Sequence, residues 1–126
     1  MGKQQRGAEK RMLGFIVNPV SGNGKGKKVW EQLEQALQGK RAHFLMRQTY
    51  RRGQAQKLAI ELIQKEGVKK LIAVGGDGTV HEVINGIQKS GQKCVFGHVA
   101  AGSGNDYRIT EEECSSVRVH HQMMGK

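Results

Sequence analysis

The stretch Leu71-Ile72-Ala73-Val74-Gly75-Gly76-Asp77-Gly78-Thr79-Val80-His81-Glu82-Val83-Ile84-Asn85-Gly86-Ile87 decides the fold. It opens on a short continuous apolar run, Leu71–Val74, without polar alternation, which predicts a strand covered on both faces. It closes on Val80, Val83, Ile84 and Ile87, which share one face of a helix over about 79–89. A glycine-rich turn joins the two. A buried strand that passes through such a turn into an amphipathic helix is the repeating unit of a parallel α/β sheet.

The unit recurs on either side. Leu13–Val17, Ala42–Met46 and Cys94–Ala100 are further apolar runs of strand length. Val29, Trp30, Leu33 and Leu37 share one face of a helix over about 26–38. Ala55, Leu58, Ala59, Leu62 and Ile63 do the same over about 53–66. The order β-α-β-α-β-α-β predicts right-handed crossovers and an α/β three-layer sandwich around a mostly parallel sheet. In such sheets ligands bind at the carboxyl ends of the strands, where loops meet helix N-termini. At 126 residues the chain is about one domain long. The end, about 107–126, is polar and weakly periodic, with Thr110 and Glu113 spaced as a helix capping box.

Strands one, three and four each run into a glycine-rich loop: Asn18-Pro19-Val20-Ser21-Gly22-Asn23-Gly24-Lys25-Gly26, Gly75-Gly76-Asp77-Gly78-Thr79, and Ala101-Gly102-Ser103-Gly104-Asn105-Asp106. One such loop is ordinary turn chemistry, but the parallel topology brings all three to the same edge. Thr79 with Glu82 three residues on reads as a capping box at a helix start. The helix end then offers N–H groups and positive dipole to phosphate oxygens. Asp77 is a different kind of group, because a carboxylate beside phosphates is repulsive unless a cation mediates, which points to magnesium. Its structural alternative is a turn residue satisfying its own backbone. The first loop is not a Walker A motif, and no loop has the dinucleotide Gly-x-Gly-x-x-Gly spacing.

Composition narrows the partners. The formal net charge is +10, from 21 Lys and Arg against 11 Asp and Glu, which predicts attraction to polyanions such as nucleotides or an anionic membrane surface. The basic residues are dispersed (Lys25, Lys27, Lys28; Lys40, Arg41; Arg51, Arg52; Lys69, Lys70) and aromatics are only 5%, so no specific nucleic-acid surface is predicted. Two cysteines, Cys94 and Cys114, make no disulfide framework and no metal spacing. His120 and His121 lack a third ligand and read as a solvated tail. The polar first ten residues hold no signal-peptide core and no apolar run approaches membrane-spanning length, which predicts a cytoplasmic protein that touches a membrane at most peripherally.

Asn18-Pro19-x-Ser21-Gly22, then Gly75-Gly76-Asp77-Gly78-Thr79 leading into His81-Glu82-Val83-Ile84-Asn85-Gly86, then Gly102-Ser103-Gly104-Asn105-Asp106, together resemble the diacylglycerol kinase catalytic domain, a family that includes bacterial lipid kinases, sphingosine kinases and ceramide kinases. The resemblance runs over 11–108, between a polar tail at 1–10 and a divergent segment at 109–126. It implies ATP binding at Asn18, Ser21, Gly22, Gly75, Gly76, Asp77, Gly78, Thr79, Gly102, Ser103, Gly104 and Asn105. Thr49 and Gly53 match a further nucleotide-contacting element, and Glu82 and Asn85 match structural positions behind the phosphate loop. Asp77 is implied as the catalytic residue, positioning Mg2+ or the reacting hydroxyl, and the reaction as transfer of the ATP γ-phosphoryl to a lipid hydroxyl.

The pattern departs from the family in three places. Family members carry a second, largely β domain with further acidic residues, which is not expected here, and after Asp106-Tyr107 the sequence leaves the family's apolar helix pattern, so that Ile109 to Lys126 match nothing in it. Ala100 and Gln54 stand where the family more often has proline and an acidic residue. Two alternatives therefore stay open: a catalytically inactive nucleotide- or polyanion-binding fragment, and an NAD kinase-like enzyme sharing the Gly-Gly-Asp-Gly-Thr element. A homo-oligomer is compatible with either.

Overall fold

A computed structural model of the chain describes residues 13–39, 43–100 and 110–114. Its elements run β1 (Leu13–Val17), α1 (Lys25–Gly39), β2 (Phe44–Gln48), α2 (Gln54–Gln64), β3 (Lys70–Gly75), α3 (Asp77–Ser90), β4 (Cys94–Ala100) and β5 (Thr110–Cys114). The sheet order is β2-β1-β3-β4-β5. The first four strands are parallel and β5 is antiparallel to β4.

The central strands bury residues on both faces, as their continuous apolar runs require. Phe15, Val17, Ile72, Val74 and Val99 pack with Val29 and Trp30 of α1 on one side. Ile16, Leu71, Ala73 and Phe96 pack with the apolar faces of α2 and α3 on the other. Residues alternate between the two clusters along each strand, so one sheet serves two cores in a three-layer sandwich. The predicted helical faces are the buried ones: Ala55, Ala59, Leu62 and Ile63 on α2, and Val83, Ile84 and Ile87 on α3. On the α1 side, Phe15, Trp30 and Phe44 form a three-ring cluster with centroids 5.1 to 5.7 Å apart.

Helices α2 and α3 lie side by side because Gly86 has no side chain. A Cβ there would sit 2.6 Å from the Ala59 Cβ and 2.7 Å from the Gln56 carbonyl oxygen, a backbone atom that cannot swing aside. Gly86→Val is expected to cost about 3 kcal/mol, the upper end for forcing methyl groups into a packed interior. A lower urea midpoint with an unchanged slope would show it.

Two expectations need correction. The second strand lies at Phe44–Gln48 rather than Ala42–Met46. It is an edge strand, half-buried along its length, so Arg47 and Gln48 can occupy it while pairing with Ile16 and Val17. The capping box at Thr110 and Glu113 does not start a helix: Thr110–Cys114 forms β5, with Glu113 opposite Val95. A glutamate run has little strand propensity, and the open edge of β4 supplies the pairing that the local sequence does not. The segments 1–10 and 115–126, including His120 and His121, lie outside the described residues.

Candidate functional site

Hydrogen bonds just beyond the strand ends bring three segments together. The Asn18 amide donates to the Val74 carbonyl at 2.9 Å, and the Thr49 amide to the Val17 carbonyl at 2.9 Å. The pairings of β1 with β3 and of β2 with β1 thus continue one residue past the strands. Loop 18–24, turn 49–53 and loop 75–79 consequently leave the sheet side by side at its carboxyl edge. An open groove of about 430 Å³ lies among them. Asn18, Thr49, Gly78 and Thr79 line it, together with Tyr50, Arg51, Arg52 and His81.

The first loop is a series of tight turns. The Asn18 side-chain oxygen accepts from the Val20 amide at 3.2 Å, an Asx turn that reverses the chain after β1. Ser21 donates its amide to the Asn18 carbonyl, and Gly26 and Lys27 donate to Ser21 and Pro19 as α1 begins. The Asn18 side-chain amide reaches the other way and donates to the Thr79 hydroxyl at 3.4 Å. That hydroxyl lies above Gly75, where a Cβ would come within 2.8 Å of it. Only glycine lets α3 close onto the strand end here. Ser21 Oγ lies 3.6 Å from where a Gly76 Cβ would stand, so the first loop also faces the second turn.

Helix α3 starts earlier than its sequence pattern suggests. Thr79 is not its N-cap. Gly76 takes that position in extended conformation, Asp77 is the first helical residue, and no side chain caps the end. Thr79 is instead buried against Asn18, and Glu82 turns away from it. The Glu82 carboxylate accepts from the Gly53 amide at 3.0 Å and the Ala55 amide at 3.2 Å, capping α2 from a neighbouring helix. Among the described residues no group accepts from the first N–H groups of α3, and Gly78 has open space where a Cβ would be. Asp77 is exposed at this end, and Arg51 and Arg52 are exposed on the opposite wall.

Among the described residues no three His, Cys, Asp or Glu side chains cluster as a metal cage. A single exposed carboxylate beside uncommitted helix amides suits a different arrangement, in which phosphate oxygens and water complete the shell of a hard cation. The donor set therefore fits magnesium held jointly with a phosphate ligand. It does not fit a protein-caged metal.

The profile of the diacylglycerol kinase catalytic domain matches residues 12–111. The chain belongs to that family. The candidate lipid kinase YtlR of Bacillus subtilis (strain 168) is 38% identical over 95 residues, covering 74% of this chain and 30% of that protein. The diacylglycerol kinase of the same organism is 33% identical over 93 residues, covering 74% and 30%. Among solved structures, a diacylglycerol kinase from Bacillus anthracis str. Sterne superposes with a TM-score of 0.59 at 28% identity, over 76% of this chain and 35% of that one. This diacylglycerol kinase family chain thus spans about a third of the length of these relatives.

Within this diacylglycerol kinase fold the structure gathers Asn18, Ser21, Thr49, Gly75, Gly76, Asp77, Gly78 and Thr79 at one edge, with Gly22 on the turn beside them and Gly53 at the head of α2. Gly102, Ser103, Gly104 and Asn105 lie outside the described residues. Strand β4 still runs out on the same edge, since its last residue, Ala100, pairs with Gly75. Groove residues that sequence reading passed over are Tyr50, Arg51, Arg52 and His81. The arginines read as dispersed charge, although their place between Thr49 and Gly53 was the available signal. His98 carries another unread contact: its Nε2 donates to the Gly75 carbonyl at 3.1 Å, bracing the start of loop 75–79 from β4. Gln54 also has a defined role, because its side-chain oxygen accepts from the amides of Tyr50 and Arg51.

Proposed function

We propose that residues 11–108 bind Mg-ATP at the carboxyl edge of the sheet and form the nucleotide-binding part of a lipid kinase. The γ-phosphoryl group is transferred to a lipid hydroxyl presented at an anionic membrane surface. The observation that carries this reading is the uncapped start of α3, with Asp77 in its first turn and the loop of Asn18 and Ser21 folded against it. Membership of a family of lipid kinases supplies the reaction class.

The amides at the start of α3 receive phosphate oxygens, and the glycines of the loop let them approach the main chain. Asp77 holds the metal or orients the incoming hydroxyl. Arg51 and Arg52 are exposed on the far wall of the groove, where their charge adds to the general attraction for an anionic ligand without holding the polyphosphate. When bound, magnesium neutralises charge on the reacting phosphates, and the rest of catalysis is positioning. The net charge of +10 favours residence beside anionic lipid headgroups. Among the described residues no helix is long and apolar enough to cross a membrane.

Two measurements on the chain test the reading. Equilibrium binding should show Mg-ATP uptake that ADP competes away. An assay with diacylglycerol in mixed micelles should show γ-phosphoryl transfer. A folded sample that binds no Mg-ATP would sink the proposal. Binding without transfer would place the chemistry in a longer protein of which this is the nucleotide-binding part.

A further inference from the structure

Turn 49–53 forms the wall of the groove away from the phosphate loop, and three of its five backbone amides are met by side chains. The amides of Tyr50 and Arg51 go to Gln54, within the same segment. Those of Gly53 and Ala55 go to Glu82, which stands on α3, little more than one turn beyond Asp77. Gly53 adopts φ 86°, a left-handed conformation, and no side chain of α2 itself caps that helix. Tyr50 is 74% exposed on the groove wall, with its hydroxyl donating to the Gln48 side-chain oxygen at 2.9 Å. Glu82 and Gly86 lie four residues apart, on one face of α3. The close helix approach at Gly86 is what brings the Glu82 carboxylate within reach of the α2 amides.

We infer that Glu82 is a positioning residue that makes nucleoside recognition depend on the phosphate-loop helix. Its carboxylate holds the Thr49–Gly53 turn, and with it Tyr50, at a fixed distance from the amides that receive phosphate. This rests on the nucleotide-binding reading above and goes beyond it. The phosphate end of the site is built from α3 and the first loop and stands without Glu82. The nucleoside end is built from a turn whose side-chain hydrogen bonds to α3, among the described residues, come from this carboxylate. Removing the carboxylate therefore separates the two ends of the site, leaving phosphate affinity while releasing the wall that faces base and ribose.

The test compares two probes, Mg-ATP and Mg-tripolyphosphate, by calorimetry on the parent chain, Glu82→Ala and Glu82→Gln. Glu82→Ala should weaken ATP about ten-fold, the loss of one charge-assisted hydrogen bond. Tripolyphosphate affinity should stay within about two-fold, below what one lost hydrogen bond produces. Glu82→Gln keeps one acceptor oxygen and should fall between, and it carries the comparison if the alanine variant does not fold. Amide exchange at Gly53 and Ala55 should quicken in both variants, with ATP slowing it in the parent and tripolyphosphate not. Equal losses for the two probes, or no loss for either, would overturn the inference while leaving the nucleotide reading intact. Failure of the parent to bind either probe would overturn both.

Discussion

In Asp77→Ala, ATP affinity is expected to move in opposite directions with and without magnesium. Asp77 is exposed at the first turn of α3, beside helix amides for which the described residues supply no side-chain cap. Without metal, its carboxylate repels the triphosphate by about 1 kcal/mol at about 4 Å in a water-like dielectric. Removing it should therefore tighten ATP about five-fold in EDTA. With magnesium, the same carboxylate is an attractive partner, and its loss should weaken ATP about ten-fold. Phosphoryl transfer should fall about 100-fold or more, the size found when one group that stabilises developing charge is removed. Stability should change little, because a carboxylate in the first turn of a helix contributes only about 0.3–1 kcal/mol. Titration calorimetry in the two buffers checks the crossing. A change of the same sign in both would mean that Asp77 acts through the fold and not through a metal.

The largest expected loss of stability is at Trp30. This residue is 4% exposed and stacks obliquely on Phe15 at 5.1 Å and edge-on to Phe44 at 5.7 Å. It joins α1 to β1 and β2 at the outer end of the sheet. Trp30→Ala removes a large buried ring and leaves a cavity that the neighbouring strands cannot close, at a cost of about 3–5 kcal/mol. Against a typical domain stability of about 5–15 kcal/mol, that brings the chain close to its unfolding threshold. Urea unfolding followed by far-UV circular dichroism should show a much lower midpoint, and Trp30→Phe should recover most of the loss by keeping an aromatic partner. A midpoint within error of the parent would show that α1 contributes little to holding the sheet.

Much of this architecture was legible in local pattern. Continuous runs such as Leu71–Val74 marked strands covered on both sides, and residues spaced like Val83, Ile84 and Ile87 marked the buried face of a helix. These signals survive in one dimension because each depends on neighbours within two turns or one strand. The order of the elements then placed the first two glycine-rich loops on one edge, where the Asn18 amide donates to the Val74 carbonyl, while the third, at 101–106, lies outside the described residues.

What local pattern misread depended on distant partners. Thr79 and Glu82 have the spacing of a capping box, but Asn18, 61 residues away, engages the threonine. The glutamate serves amides 27 and 29 residues upstream. Strand β5 escaped notice because Glu111, Glu112 and Glu113 pair only where β4 offers an open edge. The groove's arginines looked like scattered charge until the turn carrying them was folded against α3. By itself, then, the sequence determined the α/β order, the buried faces and the position of the first two glycine-rich loops at strand ends, since hydrophobic periodicity and glycine placement act over short range. Only the tertiary structure decided where α3 begins, what Glu82 holds and which residues share the groove. Those choices are made by hydrogen-bond donors and acceptors that become neighbours only when the sheet is assembled.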